Sequence, residues 1–272
     1  MAPSRAECMP EKQLNLFSAS GVSQERSVPP DAKVPNILPA ELDDDALLAA
    51  IPSSGLPNGP ILAAEAGRRG LAEAVPVLEG YCRRFAGFGA DYLVLEQVAA
   101  LRGLATIGGR DAAAAVTRLI VKATVQGPTL KVAVSAAAHL GSNLPADIVP
   151  LLLGHADPEV RIDACRCARP IPIVVSALIN LLDDLNEDVS VAAGCALGRM
   201  GNRVARPVLA RSLRDAPSPE VIDSISQVAD EDTIIRLGRL LGSTPALADA
   251  ALKALDASSH PRAVQIIGNV RR

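Results

Sequence analysis

Gln13-Leu14-Asn15-Leu16-Phe17 places three bulky apolar side chains and a primary amide within five residues, the only such cluster before Ile37. That set is suited to recognition rather than to bond making. Leu16 and Phe17 can fill an apolar pocket on another protein, Leu14 can pack beside them, and the Gln13 amide can both donate and accept hydrogen bonds at the rim. A second set is basic: Arg83, Arg84, Arg118, Lys122, Arg206, Arg211, Arg236 and Arg239. Arg118 with Lys122, and Arg236 with Arg239, have spacings that put each pair on one helical face, where they could meet a DNA backbone or an acidic protein. The plainer alternative is a solvated rim whose arginines pair with acids in adjacent turns.

Bond-making chemistry finds little support. Cys165 and Cys167 are separated by one residue in a helical pattern, so they face different directions, and neither Cys82 nor Cys195 supplies a second ligand pair at metal spacing. They read as small buried apolar residues. His139 stands in an Ala-rich stretch and reads as a satisfied structural histidine, while His155 and His260 precede helix starts. No Ser-His-Asp context, phosphate-cradling glycine loop or acidic metal cluster appears. The expectation is a protein that is not an enzyme, with no catalytic residue, no metal and no cofactor.

The elements that must carry these residues are written in the composition. Among 272 residues 49% are apolar and only 2% aromatic, with no Trp, so a core must be built from Ala, Leu, Val and Ile. The formal net charge of −3 excludes the global attraction of a strongly basic nucleic-acid binder. Charged residues interrupt every apolar run well short of a membrane span, although the mean hydropathy is +0.24. An odd set of five cysteines suits a reducing compartment, and the N-terminus lacks a secretory pattern, so the expected location is the cytoplasm.

Residues 1–40 hold six prolines, four basic and four acidic residues, and predict a flexible, disordered tail. From Glu41 the pattern changes to acids followed by an apolar run, the signature of a helix N-terminus. The stretch 41–272 is self-similar. Val132–Gly141 aligns with Val189–Gly198, and related ten-residue slots end at Gly108, Arg169, Asp230 and Asp256, between 26 and 33 residues apart. Asp157-Pro158-Glu159 and Ser218-Pro219-Glu220 place a capping residue, a proline and an acid where helices start, and Asn186-Glu187-Asp188 does so without the proline. Each unit holds an Ala-rich first helix and a bulkier second helix, which predicts about seven stacked helix pairs. Acids concentrate on the first helices and their preceding turns, and the bases named above on the second helices.

Asp157-Pro-Glu-Val-Arg161, Asn186-Glu-Asp-Val189 with Ala192-Ala-Gly-Cys-Ala-Leu-Gly198, and Ala74-Val-Pro-Val-Leu78 resemble HEAT repeats of the short, roughly thirty-residue type, over about residues 60–270. The resemblance implies an all-α, right-handed HEAT-like α-solenoid that binds partners, with the second helices on its concave side. Separately, Gln13-Leu14-Asn15-Leu16-Phe17 resembles the motif that binds the bacterial sliding clamp, with Asn15 departing from the commoner Ser or Asp. Together they imply a bacterial adaptor in DNA replication, joined to the clamp by its N-terminal peptide and to a second protein by the solenoid, with weak DNA contact along the basic stripe and no membrane. The alternatives are a general interaction scaffold whose tail caps the first repeat, or a bilin-lyase-like or DNA-repair enzyme of the same fold.

Overall fold

The computed structural model describes residues 38–258 and 260–270, and every regular element among them is helical. A short helix α1 (Asp44–Ala50) leads into α2 (Asn58–Arg68) and α3 (Ala74–Arg84), then α4 (Leu95–Ile107) and α5 (Gly109–Val121), α6 (Gly127–His139) and α7 (Val149–Leu153). The series continues with α8 (Pro158–Arg166) and α9 (Pro172–Asn180), α10 (Glu187–Arg199) and α11 (Arg206–Asp215), α12 (Pro219–Ser226) and α13 (Glu231–Leu240), and α14 (Pro245–Ala257) and α15 (Pro261–Val270). The described chain is therefore an all-α solenoid of helix pairs.

The helix starts expected from sequence are capped as expected. Asp157 accepts from the Glu159 amide at 2.9 Å, Asn186 from Val189 at 3.2 Å and Ser218 from Val221 at 3.3 Å. Each removes one of the donors that a helix start leaves without an internal partner. Asp43 and Asp230 cap α1 and α13 in the same way.

First helices pack on first helices from α2 through α14 in one unbroken row, and the second helices lie across it, α11 for example resting on both α10 and α12. Small residues make the row close. A Cβ on Gly67 would lie 2.8 Å from the Gly103 Cα, and one on Gly198 would lie 2.6 Å from the Ser224 carbonyl oxygen. Along this row Ala63, Ala66, Ala100, Ala133, Ala137, Ala164, Ala193 and Ala251 are fully buried, and the large side chains Leu78, Leu119, Leu153, Leu178, Leu209 and Leu237 of the second helices close over them. No pair covers its own apolar face, so stacking supplies the core.

Polar latches fix the spacing between repeats. Arg161 of α8 forks onto Asp184 at 2.9 and 3.0 Å, and its remaining amino group donates to the carbonyls of His155 and Ala156. Asp184 also accepts from the Asn186 amide, so one carboxylate joins the turn before α8 to the turn before α10. Gln97 of α4 is 1% exposed and its side-chain amide donates to the carbonyls of Cys82, Phe85 and Thr124 at 3.1–3.2 Å. It thereby holds together the C-terminal ends of α3 and α5.

Candidate functional site

The protein's aromatic residues are few, and the fold collects them. The chain has three Phe and two Tyr, and Tyr81, Phe85, Phe88 and Tyr92 all lie at the end of α3 or in the loop 85–94 that follows it. Tyr81 is buried beneath α2, Phe85 meets it edge-on with ring centroids 5.4 Å apart, and Phe88 meets Phe85 edge-on at 6.4 Å. The row of rings thus runs from core to surface. There a groove of about 540 Å³ opens, lined by Leu56, Phe85, Phe88, Tyr92, Leu93 and Leu95, with Arg84 and Glu96 at its walls. Leu56, Phe88, Tyr92 and Leu95 are each more than half exposed, at 58%, 59%, 56% and 51%. These apolar side chains are thus exposed side by side around one groove.

Hydrogen bonds and close backbone contacts set the loop that forms this groove. The Val94 amide donates to Thr129 Oγ1 at 3.1 Å, and Gln97 takes the Phe85 carbonyl. Gly127, at φ +50, lies so close under Ala90 that a Cβ there would stand 2.2 Å from its carbonyl oxygen. Arg84 stacks over the Phe85 ring at 5.2 Å and donates to the carbonyls of Pro52 and Ser54 at 2.9 and 2.6 Å, joining α3 to the segment ahead of α2. Glu96, in the first turn of α4, is only 9% exposed and has no hydrogen bond or ion pair among the described residues. The helix N-terminus favours its charge, and among the described residues its oxygens have no protein donor but stay open to water.

The basic residues singled out from sequence fall on second helices, apart from Lys122 just past the end of α5, yet most are engaged. Arg118 of α5 donates to both oxygens of Glu79 on α3, at 3.0 and 2.7 Å, and Arg83 pairs with the same carboxylate. Hydrogen bonds from Arg118, with the positive charges of Arg118 and Arg83, hold the Glu79 carboxyl below its usual range although burial opposes them. Arg206 donates to the Val228 carbonyl at 2.8 Å and pairs with Asp230, and Arg236 pairs with Asp232 one turn earlier. The side chains of Lys122 and Arg239 form no hydrogen bond or ion pair among the described residues, and Arg211 lies near Asp215. These side chains are spread along the stack rather than gathered at one point.

One sequence expectation is extended and one needs correction. Bases are not confined to the second helices, since Arg102, Lys131 and Arg161 stand on first helices. Acids stand in the first turns of α4, α8, α10 and α12, and Arg68, His139, Arg166 and Arg199 stand in the last turns of first helices, as the helix dipole favours. Ion pairs then bridge repeats: Lys131 of α6 reaches Glu159 at 2.7 Å, and Arg166 and Arg199 both reach Glu220 at 3.4 Å. His139 is not packed in the core either. It is exposed near the end of α6, beside Arg102, because the Ala-rich face buries Ala136 and Ala137 and turns position 139 outward.

Cys82, Cys165, Cys167 and Cys195 are free and buried, as read from sequence. Burial pushes the first three thiols up to about 12 and Cys195 to about 11. Such thiols are inert as nucleophiles. Among the described residues no group of His, Cys, Asp or Glu could hold a metal ion, and no helix is long and apolar enough to cross a membrane. Gln13, Leu14, Leu16 and Phe17 lie outside the described residues. The groove residues Leu56, Phe88, Tyr92, Leu93, Leu95 and Glu96 were not found from sequence. The only signal was the density of aromatics in an aromatic-poor chain.

The helix-pair repeat also has a counterpart among known families. Residues 145–229 match the family of HEAT repeats. This span runs from α7 through α12, and it includes the Arg161–Asp184 latch and the close crossing of α10 on α12. The row of packed first helices continues outside the matched span without a break, back to α2 and on to α14. No curated protein matches the chain.

Proposed function

We propose that the chain is a non-enzymatic adaptor, in which the HEAT-repeat stack presents a binding surface to one protein and Gln13, Leu14, Leu16 and Phe17 engage the bacterial DNA-replication sliding clamp. The observation that carries the scaffold half is the stacked architecture itself: a continuous core through the HEAT repeats, with an aromatic-lined groove left open at α3 and α4. Stacked repeats commit their apolar faces to one another and leave an extended surface for partners. The clamp half is supported by the sequence alone, through the four motif positions at 13, 14, 16 and 17. Its consequence is recruitment to the clamp, or competition there, in the bacterial cytoplasm. Lys122, Arg211 and Arg239 supply at most a weak contact to DNA.

Purified bacterial clamp, titrated with the full chain and with the Leu16→Ala, Phe17→Ala chain, tests the clamp half by fluorescence anisotropy. Loss of two apolar anchors should weaken binding by at least ~10-fold, since such anchors dominate small interfaces. Equal binding by both chains, or binding by neither, removes the replication role.

A further inference from the structure

We infer that the groove between the α3–α4 loop and the start of α4 is a docking site for a peptide segment of a partner protein, one that carries a lysine or arginine flanked by bulky apolar side chains. The inference rests on the scaffold half of the reading above and is independent of the clamp.

Three observations define the occupant. The apolar lining, Leu56, Phe88, Tyr92, Leu93 and Leu95, is exposed side by side around one open groove rather than scattered. Its natural complement is a pair of aliphatic or aromatic side chains, because the favourable term is removal of apolar surface from water on both partners. The second observation is charge. Of the two charged residues in the walls, Arg84 is already committed to the Pro52 and Ser54 carbonyls and to the Phe85 ring. Glu96 has no hydrogen-bond or ion-pair partner for its side chain among the described residues, and although the residue as a whole is nine-tenths buried its carboxylate oxygens stay open to water at the groove. A carboxylate in that setting is completed by a cationic donor, and covering the groove would make leaving it unpaired costly. An acidic or purely apolar segment would bury the Glu96 charge without a partner, so the same residue selects against those competitors.

The third observation is rigidity. Gly127 beneath Ala90, Thr129 on the Val94 amide, and Gln97 on the Phe85 carbonyl fix the loop in the free protein. Little ordering is left for the partner to bring about, which favours a short segment binding on its own. The loop 85–94 is also the longest connection from a second helix to the next first helix among the described residues, so the stack devotes extra chain to this place.

The full chain, immobilised and panned with a phage-displayed dodecapeptide library, provides the test. Enriched peptides should share a basic residue between Leu, Ile or Phe. The selected peptide, resynthesised, should bind at least ~10-fold more weakly to the Phe88→Ser, Tyr92→Ser chain, whose exposed substitutions leave the core untouched. Glu96→Gln should cost ~5- to 20-fold for that peptide and close to nothing once its basic residue is replaced by norleucine, a coupling that a general loss of stability would not produce. The inference is overturned if no sequence is enriched, if enriched sequences lack a basic residue, or if the three substitutions leave binding unchanged. It is equally overturned if sedimentation shows a dimer that Phe88→Ser dissolves, which would assign the groove to a second copy. Binding that appears only in a Leu14→Ser, Leu16→Ser, Phe17→Ser chain would assign it to a segment of this chain. None of these outcomes depends on the clamp titration, which reads Leu16 and Phe17 instead.

Discussion

Glu79 shows how single residues decide what the surface of this protein can offer. Its buried carboxylate takes Arg118 from the neighbouring second helix and Arg83 from its own, so two of the bases that sequence reasoning offered to an anionic partner are already neutralised. Its pKa is held below the ordinary value of 4.5, chiefly by the Arg118 hydrogen bonds. Its pairing therefore adds stability that is fully present above that value and is lost as pH falls below it, where the wild-type carboxyl takes up a proton. Glu79→Gln should lower the stability of the chain by about 1–2 kcal/mol at pH 7, the scale of hydrogen bonds to a charged group whose arginine partners are half exposed. The gap should narrow as pH is lowered from 5 toward 3, because the variant does not titrate. Urea unfolding midpoints across that range measure it, and a gap that widens in acid would contradict the assignment.

At the scale of the helix, the close crossings of the first-helix row depend on having no side chain at particular places. Gly103 faces the Ala63 carbonyl, where a Cβ would sit 2.9 Å from the oxygen, while Gly80 on the exposed side of α3 has nothing within 4 Å of its Cβ position. The same substitution should therefore act in opposite directions. Gly103→Ala must push α2 from α4 and should cost about 1–3 kcal/mol by overpacking. Gly80→Ala relieves the entropy cost of a helical glycine and should stabilise by about 0.5–1 kcal/mol. Thermal unfolding of the two variants checks both signs. The helix-dipole ordering of charges belongs to this scale too, since it explains why Arg166 and Arg199, at first-helix ends, both reach Glu220 on the start of α12.

For the whole molecule, stacking makes each repeat depend on its neighbours. Leu197 lies fully buried in α10, which packs on α8, α9, α11 and α12. Leu197→Ala should cost about 3 kcal/mol through the cavity it leaves. Because the row is continuous, hydrogen exchange should accelerate in α8 and α12 as well as in α10. Protection unchanged outside α10 would show the repeats to be energetically separate.

The helices, their caps and their repeat are legible in the sequence, because capping and amphipathic periodicity are local: Asp157, Asn186 and Ser218 cap where they stand, whatever packs on them later. It also determined the burial of the four described cysteines, whose spacing and apolar neighbours already placed them inside. What it could not contain was which side chains from different repeats come within reach. Arg118 meets Glu79 across 39 positions of chain, and Arg161 meets Asp184 across 23. His139 turned outward for the same reason, since facing is set by the tilt of one helix on the next. The groove is the clearest case. Leu56, Phe88 and Leu95 are unremarkable letters until α2, α3 and α4 are stacked, and only then does the Glu96 carboxylate stand at the groove wall with no ion-pair partner among the described residues.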